Sequence, residues 1–250
     1  MPEKNQKYFA VIGDLVASRQ MEPELRNEVQ KQFHAVLKKV NEEFREDIAS
    51  LFLITAGDEM QGILFRPDHC YDMLRKIQLT LAPTQIVFGL GYGEIMTELG
   101  EYAIGSDGPA LHRARQALTE AKEERKAYGK SILREVKINS GNHEFDAVMN
   151  ALLLALSVLK DSWSENQREI VHLLEQGKAV KQISEILSVP QSNISRTIEV
   201  VHFREFVQLV DGVKILFTTG WEKISSYQKN DNQGKVIKKT ITKEKLSKKR

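Results

Sequence analysis

The sequence is poor in cysteine and has no long hydrophobic segment. Cys70 is the only cysteine among 250 residues, so no internal disulfide can form, and no Cys/His set has zinc-ligand spacing. The longest apolar run, residues 147–159, is interrupted by Asn150 and is shorter than the roughly 20 residues of a membrane-spanning helix. These absences exclude zinc-finger, disulfide-rich secreted and membrane proteins. Together with a polar N-terminal segment that does not resemble a signal peptide, they predict a cytoplasmic protein without a membrane partner.

Charge is distributed unevenly along the chain. The net charge of the whole sequence is +2, but residues 228–250 contain nine basic and two acidic residues and therefore carry +7. The rest of the chain carries −5. A mildly acidic body with a basic segment near its C-terminus favours a polyanionic partner. A solvated, flexible tail that serves only solubility explains the composition equally well.

Strand and helix patterns alternate in the first 140 residues. The predicted strands are residues 8–12, 51–56, 60–65, 85–95 and 132–138, and the predicted helices are residues 24–44, 68–81 and 109–126. Only Gly57-Asp58-Glu59 separates the second strand from the third, which predicts a hairpin. This order predicts an α+β sandwich with a mixed or antiparallel sheet. The glycines at positions 89, 91 and 93 of the fourth strand indicate either close approach of another backbone or a twisted strand.

Beyond residue 143 the apolar pattern becomes helical. We expect four segments: an α/β domain over residues 1–142, a connecting helix over 143–163, an all-α domain over 164–220, and a basic, flexible tail over 221–250. Residues 213–219, Val-Lys-Ile-Leu-Phe-Thr-Thr, suggest a short strand or wing that follows the helices.

Two acidic motifs lie at the ends of predicted strands. Asp14 follows the first strand in a Gly-Asp pair, and Asp58-Glu59 lies in the hairpin. If the first two strands are neighbours, these carboxylates meet at one edge of the sheet, where they repel one another unless a cation neutralises them. Mg²⁺ is the usual cation at such sites and is commonly held by one or two carboxylates and by phosphate oxygens. The alternative is that Gly-Asp simply makes turns.

The order of these motifs resembles that of class III nucleotidyl cyclases and, more distantly, of diguanylate cyclases. The resemblance is carried by Ile12-Gly13-Asp14, Gly57-Asp58, the glycine-dotted fourth strand and Ala114-Arg115. In those families two aspartates, one after the first strand and one in the hairpin, bind metal ions on a ferredoxin-like palm. The resemblance therefore implies a ferredoxin-like, cyclase-like N-terminal fold, with Asp14 and Asp58 as ligands of Mg²⁺. It also implies a homodimer, because cyclases usually complete their active site across a dimer.

The whole chain also resembles the SatD family. Three segments follow that family's pattern: Ile12-Gly-Asp-Leu-Val-Ala-Ser-Arg19, Gly57-Asp58-Glu59-Met-Gln61-Gly62 and Gly105-Ser-Asp-Gly-Pro109. The candidate nucleotide-binding residues are Gly13, Arg19, Gly57, Glu59 and Arg115. The two arginines are included because a guanidinium group matches phosphate geometry with paired donors; each alone also fits a surface arginine.

One departure from the cyclase pattern concerns catalysis. A cyclase carries an asparagine ahead of the Ala-Arg pair, where it helps to position the ribose, and this chain has Leu111 at that place. A leucine side chain cannot form those hydrogen bonds. Cyclase chemistry is therefore less expected than nucleotide and metal binding, and we assign no catalytic residue.

The segment from Ser164 to about Phe206 resembles the helix-turn-helix of sigma-factor region four and of LuxR-type regulators. Ser188-Val189-Pro190 is the turn, and the helix that begins at Gln191 has a polar, exposed start. In such modules the first turns of the second helix contact base edges in the major groove. The candidate DNA-binding residues are Lys181, Gln191, Ser192, Asn193, Ser195 and Arg196. A three-helix bundle used for protein contacts or dimerisation is the alternative.

These features together favour a cytoplasmic transcriptional regulator, in which a cyclase-like domain that binds a nucleoside triphosphate with Mg²⁺ is coupled to a DNA-binding helix-turn-helix. Two alternatives remain open at this stage. One is an active nucleotidyl cyclase or transferase, and the other is a scaffold that uses both domains for protein contacts.

Overall fold

A computed structural model describes residues 6–127 and 135–220. The strands are β1 (Lys7–Leu15), β2 (Ile48–Ala56), β3 (Glu59–Leu64), β4 (Ile86–Glu94) and β5 (Val136–Asn139). The helices are α1 (Pro23–Glu43), α2 (Cys70–Leu81), α3 (Pro109–Ala127), α4 (His143–Asp161), α5 (Glu165–Glu175), α6 (Val180–Leu187), α7 (Gln191–Val200) and α8 (Phe203–Ile215). The basic tail expected at residues 221–250 lies outside the described part of the chain. Within that part, no helix combines the length and the apolar character needed to cross a membrane.

The five strands form one mixed sheet in the order β2-β3-β1-β4-β5. β1 lies antiparallel between β3 and β4, β2 and β3 form the predicted hairpin, and β5 runs parallel to β4. The order and directions of β1 to β4 are those of a ferredoxin-like βαββαβ unit, and α3 and β5 extend it at one edge. The predicted α+β fold is confirmed.

Both faces of the sheet are covered. On β1, Phe9, Val11 and Leu15 belong to a core shared with α1 and α2, whereas Tyr8, Ala10 and Ile12 belong to a core shared with α3. This alternation follows from the two-residue period of a strand. It also places Asp14 on the α3 side of the sheet, because Asp14 continues the series of residues 8, 10 and 12.

The glycines of β4 allow the backbone of α3 to approach the sheet directly. A Cβ at Gly89 would lie 2.2 Å from the carbonyl oxygen of Ala114, and one at Gly91 would lie 2.2 Å from that of Ala110. Ala110, Ala114 and Ala121 are fully buried small residues on the facing side of α3. Of the two explanations for the glycines, close backbone approach is therefore the one observed. It fixes where α3 presents its polar side chains.

The C-terminal helices divide between two cores. Met149 and Leu153 of α4 and Phe206 of α8 join the core that covers the α1–α2 face of the sheet. Helices α5, α6 and α7 enclose a smaller core of Ile170, Ile183 and Ile194.

The strand predicted at residues 213–219 is wrong. α8 runs to Ile215, and a further helical turn, Leu216–Gly220, follows it. Val213 and Phe217 are both buried, and their spacing of four residues is the period of a helix face.

Candidate functional site

Three carboxylates meet where β1 and the β2–β3 hairpin end. Asp14 pairs in register with Glu59, and the backbone N–H of Leu15 donates a hydrogen bond to the carbonyl oxygen of Asp58, with a nitrogen–oxygen distance of 3.0 Å. Burial raises the pKa of the Asp14 carboxyl most, and the negative charges of Asp58 and Glu59 add to that rise. The two acidic motifs, 44 residues apart in the sequence, thus form one cluster at the sheet edge.

Two cations on α3 face this cluster. Lys122 Nζ lies 2.7 Å from Asp14 Oδ2, and Arg115 donates two hydrogen bonds to the Glu59 carboxylate, one of which spans 2.7 Å. The two basic residues are seven positions apart, which is about two helical turns, so they share one side of α3. The Asp14 and Glu59 carboxylates are therefore each paired with one cation of α3.

Asp58 has a different partner. The hydroxyl of Ser18 donates a hydrogen bond to Asp58 Oδ2, and Ser18 is buried in the short turn that follows β1. Gly57 precedes Asp58 with a φ of +65°, a left-handed conformation that glycine adopts without steric cost. The hairpin turn therefore needs Gly57 for its shape, and that shape brings Asp58 back toward β1.

Burial and charge act against each other in this cluster. Burial is the largest effect on Asp14 and raises the pKa of its carboxyl, whereas the hydrogen bond and charge of Lys122 lower it, and the net shift is upward. The hydrogen bonds to Glu59 are the largest effect on Arg115 and raise its pKa. Asp14 is therefore ionised at a cost, which a closely bound cation reduces.

The donor atoms suit a hard divalent cation. Asp14 and Asp58 offer carboxylate oxygens, which are the ligands that Mg²⁺ prefers, and Mg²⁺ commonly uses only one or two protein carboxylates together with phosphate oxygens and water. Within residues 6–127 and 135–220, no three acidic, histidine or cysteine side chains form a ready-made metal cage. Asp14 and Asp58 alone therefore do not make a protein-only metal site, and a cation bound there would have to bring its other ligands.

The remaining nucleotide candidates occupy different surroundings. Gly13 faces the opposite side of the sheet, where a Cβ would come within 2.8 Å of the Phe88 ring, so packing accounts for this glycine. Arg19 belongs to the short 3-10 helix Ser18–Gln20 directly after β1. Leu111, at the place of the cyclase asparagine, is buried in the core between α3 and the sheet. Its side chain therefore does not face the carboxylates.

Sequence reasoning missed two members of the cluster, Lys122 and Ser18. Lys122 carried a usable signal, because it follows Arg115 by seven residues on a predicted helix. Ser18 carried none, since serine after a strand most often belongs to a turn.

The DNA-binding candidates lie on the surface of α6 and α7. All six candidates have exposed side chains: Lys181, Gln191, Ser192, Asn193, Ser195 and Arg196. Ile194, which lies between Asn193 and Ser195 in the sequence, is instead buried in the small core formed by α5, α6 and α7. The turn between the two helices contains Ser188 with a φ of 54°. At the start of α5, Ser164 and Gln167 form a capping box, in which each side chain accepts a hydrogen bond from the backbone N–H of the other residue.

The fold and site define a ferredoxin-like α+β protein with an acidic cluster where the interior strand β1 ends beside the β2–β3 hairpin turn. Comparison with family models adds that residues 8–207 match the SatD family, and the chain belongs to that family. Comparison with curated protein sequences gives no significant match.

Two solved structures of nucleotidyl cyclases are similar to this chain. The guanylyl cyclase Cya2 has 13% sequence identity and a TM-score of 0.35, over 53% of this chain and 83% of that chain. A bacterial light-regulated adenylyl cyclase has 9% identity and a TM-score of 0.37, over 54% of this chain and 43% of that chain.

Proposed function

We propose that the N-terminal α+β region binds a nucleoside triphosphate together with Mg²⁺ at the cluster of Asp14, Asp58, Glu59, Arg115 and Lys122. The supporting observation is the arrangement of charge, in which carboxylates on the strands face two cations on α3. A magnesium–triphosphate complex carries a positive ion that complements the carboxylates and negative phosphate oxygens that complement the two cations. Its cation suits the carboxylates, and its phosphate oxygens suit the guanidinium and ammonium groups.

Each residue has a distinct role in this proposal. Asp14 and Asp58 hold the cation, which supplies charge neutralisation for the carboxylates and the phosphate oxygens. Arg115 exchanges its hydrogen bonds to Glu59 for paired hydrogen bonds to phosphate oxygens. Lys122 exchanges its contact with Asp14 for a contact between its ammonium group and a phosphate oxygen. Gly57 keeps the hairpin turn in shape, and Arg19, in the turn after β1, is a further phosphate ligand.

The reaction that suits such a site is nucleotidyl transfer, either cyclisation or the joining of nucleotides. Acidic residues that hold a cation and basic residues that hold phosphates would stabilise the charge that develops on the transferred phosphoryl group. Because Leu111 is buried in the core, another group must orient the ribose. We propose this activity as the first to test, with nucleotide binding as the step on which it depends.

The direct test is calorimetric titration of ATP, GTP, CTP and UTP with Mg²⁺ into wild type and Asp14→Asn. We expect one triphosphate to bind wild type and to lose at least tenfold affinity in the variant. Asp161→Asn, at the exposed end of α4, is the matched control and should bind as wild type does. Equal binding by wild type and Asp14→Asn, or binding by neither, contradicts the proposal.

Mass spectrometry of the same mixtures tests the reaction. A cyclic or linked nucleotide that forms with wild type but not with Asp14→Asn supports nucleotidyl transfer. Binding without any product identifies a nucleotide-sensing domain instead. A size measurement in the presence of the nucleotide also tests the homodimer that the cyclase resemblance implies.

A second candidate function is DNA binding by α6 and α7. It is favoured by the polar, exposed first turns of α7, where Gln191, Asn193 and Arg196 carry groups that can pair with base edges. Arg196→Ala should weaken a gel shift with selected duplex DNA by tenfold or more. Arg204→Ala on α8 is the exposed control and should change it little. No shift at any DNA sequence, or an equal loss in both variants, points to a protein-contact bundle.

A further inference from the structure

The connecting segment between β4 and α3, residues 94–107, presents large apolar side chains to solvent. Met96 is 76% exposed, Ile104 is 64% exposed and Tyr102 is 44% exposed. Single exposed apolar residues are common on protein surfaces, but these three lie within nine residues of one another. An exposed apolar patch that polar residues surround is typical of an interaction site.

This connecting segment is anchored to the sheet. The backbone N–H of Leu51 donates a hydrogen bond to the Glu101 carbonyl oxygen at 2.8 Å, and the backbone N–H of Ala103 donates to the Leu51 carbonyl oxygen at 3.2 Å. The Gln61 side chain donates to the Ala103 carbonyl oxygen at 2.6 Å. Ile95 and Ala103 are buried beneath the segment. The three apolar side chains are therefore exposed on a backbone of fixed position.

The connecting segment is also acidic. It contains four acidic residues and no lysine, arginine or histidine: Glu94, Glu98, Glu101 and Asp107. Asp107 contacts His112 at 2.7 Å, whereas the three glutamates form no ion pair with any residue in the described part of the chain. All three glutamates are exposed. The surface therefore suits an occupant that combines cationic and apolar side chains.

The C-terminal sequence of the same chain has that combination. Residues 228–250 carry a net charge of +7. Within residues 235–246, five lysines are interleaved with four apolar residues: Val236, Ile237, Ile241 and Leu246. A segment that only kept the protein soluble would have no need of these apolar residues.

The described chain ends close to this surface. The Phe217 ring lies 5.9 Å from the Phe9 ring, and Phe9 pairs in register with Tyr92, two residues before the connecting segment begins. The chain therefore leaves the described part at the end of the sheet where that segment starts. The 15 residues from 220 to 235 can span about 50 Å when extended, and packed layers are only about 10 Å apart.

We infer that residues 235–246 dock on the connecting segment of the same chain. The lysines pair with Glu94, Glu98 and Glu101, and the apolar residues cover the exposed side chains beside them. The basic segment is thereby held on the acidic body, and a polyanion must displace it from there before it can bind it. This contact does not depend on the proposed nucleotide site, which lies at the other end of β1.

Paramagnetic relaxation measured by NMR on the full chain tests the contact. A nitroxide is attached at Ser247→Cys, and Cys70 stays unlabelled because it is buried and burial raises the pKa of its thiol. We expect the amide signals of residues 94–104 to broaden at low salt. The relaxation enhancement should fall about threefold at roughly 0.5 M salt, because salt screens the ion pairs. The turn residues 57–58, at the opposite end of the sheet, are the internal control and should stay sharp.

Charge reversal identifies the surface. Glu98→Lys combined with Glu101→Lys should lower the relaxation enhancement about threefold, as salt does. Met96→Ser should lower it as well, because the apolar contact is lost. Glu24→Lys combined with Glu42→Lys, at exposed positions of α1, makes the same change in net charge and should leave the enhancement unchanged.

Three results would overturn the inference. The first is broadening that is absent or spread evenly over the surface, and the second is an equal loss in both double variants. The third comes from a mixture of nitroxide-labelled protein without ¹⁵N and unlabelled protein with ¹⁵N. Broadening of residues 94–104 in that mixture, as strong as within one chain, would place the basic segment on a second copy.

Discussion

The contact between Lys122 and Asp14 would have to be broken for a cation to bind at the proposed nucleotide site. The Lys122 side chain is 40% exposed and that of Asp14 is 21% exposed, so solvent screens their attraction. Ion pairs near the surface contribute at most about 1 kcal/mol. Lys122 is therefore a weak, exchangeable counter-ion, which a divalent cation that arrives with phosphate oxygens can replace.

Replacing Lys122 should separate metal binding from nucleotide binding. In Lys122→Met, Asp14 loses its internal cation, so we expect Mn²⁺ alone to bind more tightly, while the magnesium–nucleotide complex binds about tenfold more weakly because a phosphate ligand is lost. Titration followed by electron paramagnetic resonance measures the first affinity, and calorimetry measures the second. A matched control is Lys38→Met on the exposed surface of α1. If both affinities fall together, Lys122 supports the site only by packing.

The sequence predicted some of this cluster and missed the rest for a physical reason. Asp14 and Asp58 could be placed at strand ends from the sequence, and their convergence was expected if the first two strands were neighbours. That condition is wrong, because β1 pairs with β3 and not with β2, and it is this long-range pairing that brings the hairpin turn beside Asp14. Lys122 and Ser18 join them only through packing between elements that are far apart in the chain. Such contacts depend on how closely α3 approaches β4, which the strand and helix patterns do not specify.

That approach is the important feature at the scale of elements. Gly89 and Gly91 leave no space for a side chain between β4 and the backbone of α3. The helix therefore lies against the sheet at a fixed depth, and Arg115 and Lys122 on its side are fixed relative to β1 and β3. Small residues on β4 and α3 thus set the position of the two cations of α3 relative to the carboxylates of β1 and the hairpin.

Gly89→Ala tests this dependence. A Cβ 2.2 Å from the Ala114 oxygen must push α3 away, so we expect the free energy of unfolding to fall by about 3 kcal/mol and nucleotide binding to be lost. Gly212→Ala is the matched control, since a Cβ there meets no atom and alanine favours the helix by about 0.5–1 kcal/mol. Urea denaturation measures both. Gly89→Ala with wild-type stability would show that α3 is not held by this contact.

The end of α8 shows where element prediction failed. Residues 213–219 contain isoleucine, leucine, phenylalanine and two threonines, a composition typical of strands. In the structure Val213 and Phe217 both turn toward the core, and the Phe217 ring lies 5.9 Å from that of Phe9. Tertiary burial of a helical face thus outweighs local strand propensity.

At the scale of the whole molecule, ion pairs join the sheet region to the C-terminal helices. Arg75 on α2 pairs with Glu175 on α5, at side-chain exposures of 16% and 18%. Nearby, Lys160 on α4 is buried and pairs with Glu135, which directly precedes β5. Burial lowers the pKa of Lys160, and the charge of Glu135 opposes that effect. Together with the apolar core shared by the sheet, α4 and α8, these pairs connect the sheet region to the C-terminal helices.

A double-mutant cycle on Arg75 and Glu175 measures this connection. Arg75→Met leaves a carboxylate unpaired in a mostly buried place, so we expect a loss of about 3 kcal/mol. Arg75→Met combined with Glu175→Leu should recover most of that loss, because no lone charge remains. Denaturant unfolding of the four proteins provides the cycle. Losses that simply add in the double variant would show that the two side chains do not interact.

The central claim concerns Asp14 and Asp58, and anomalous diffraction tests it most directly. The protein would be crystallised with Mn²⁺ and a non-hydrolysable analogue of whichever triphosphate binds, and data collected at the manganese edge. We expect a manganese peak in contact with the Asp14 and Asp58 carboxylates, with the Lys122 ammonium moved from Asp14 to a phosphate oxygen. A nucleotide bound elsewhere, with no manganese at this edge and Lys122 still paired with Asp14, would contradict it.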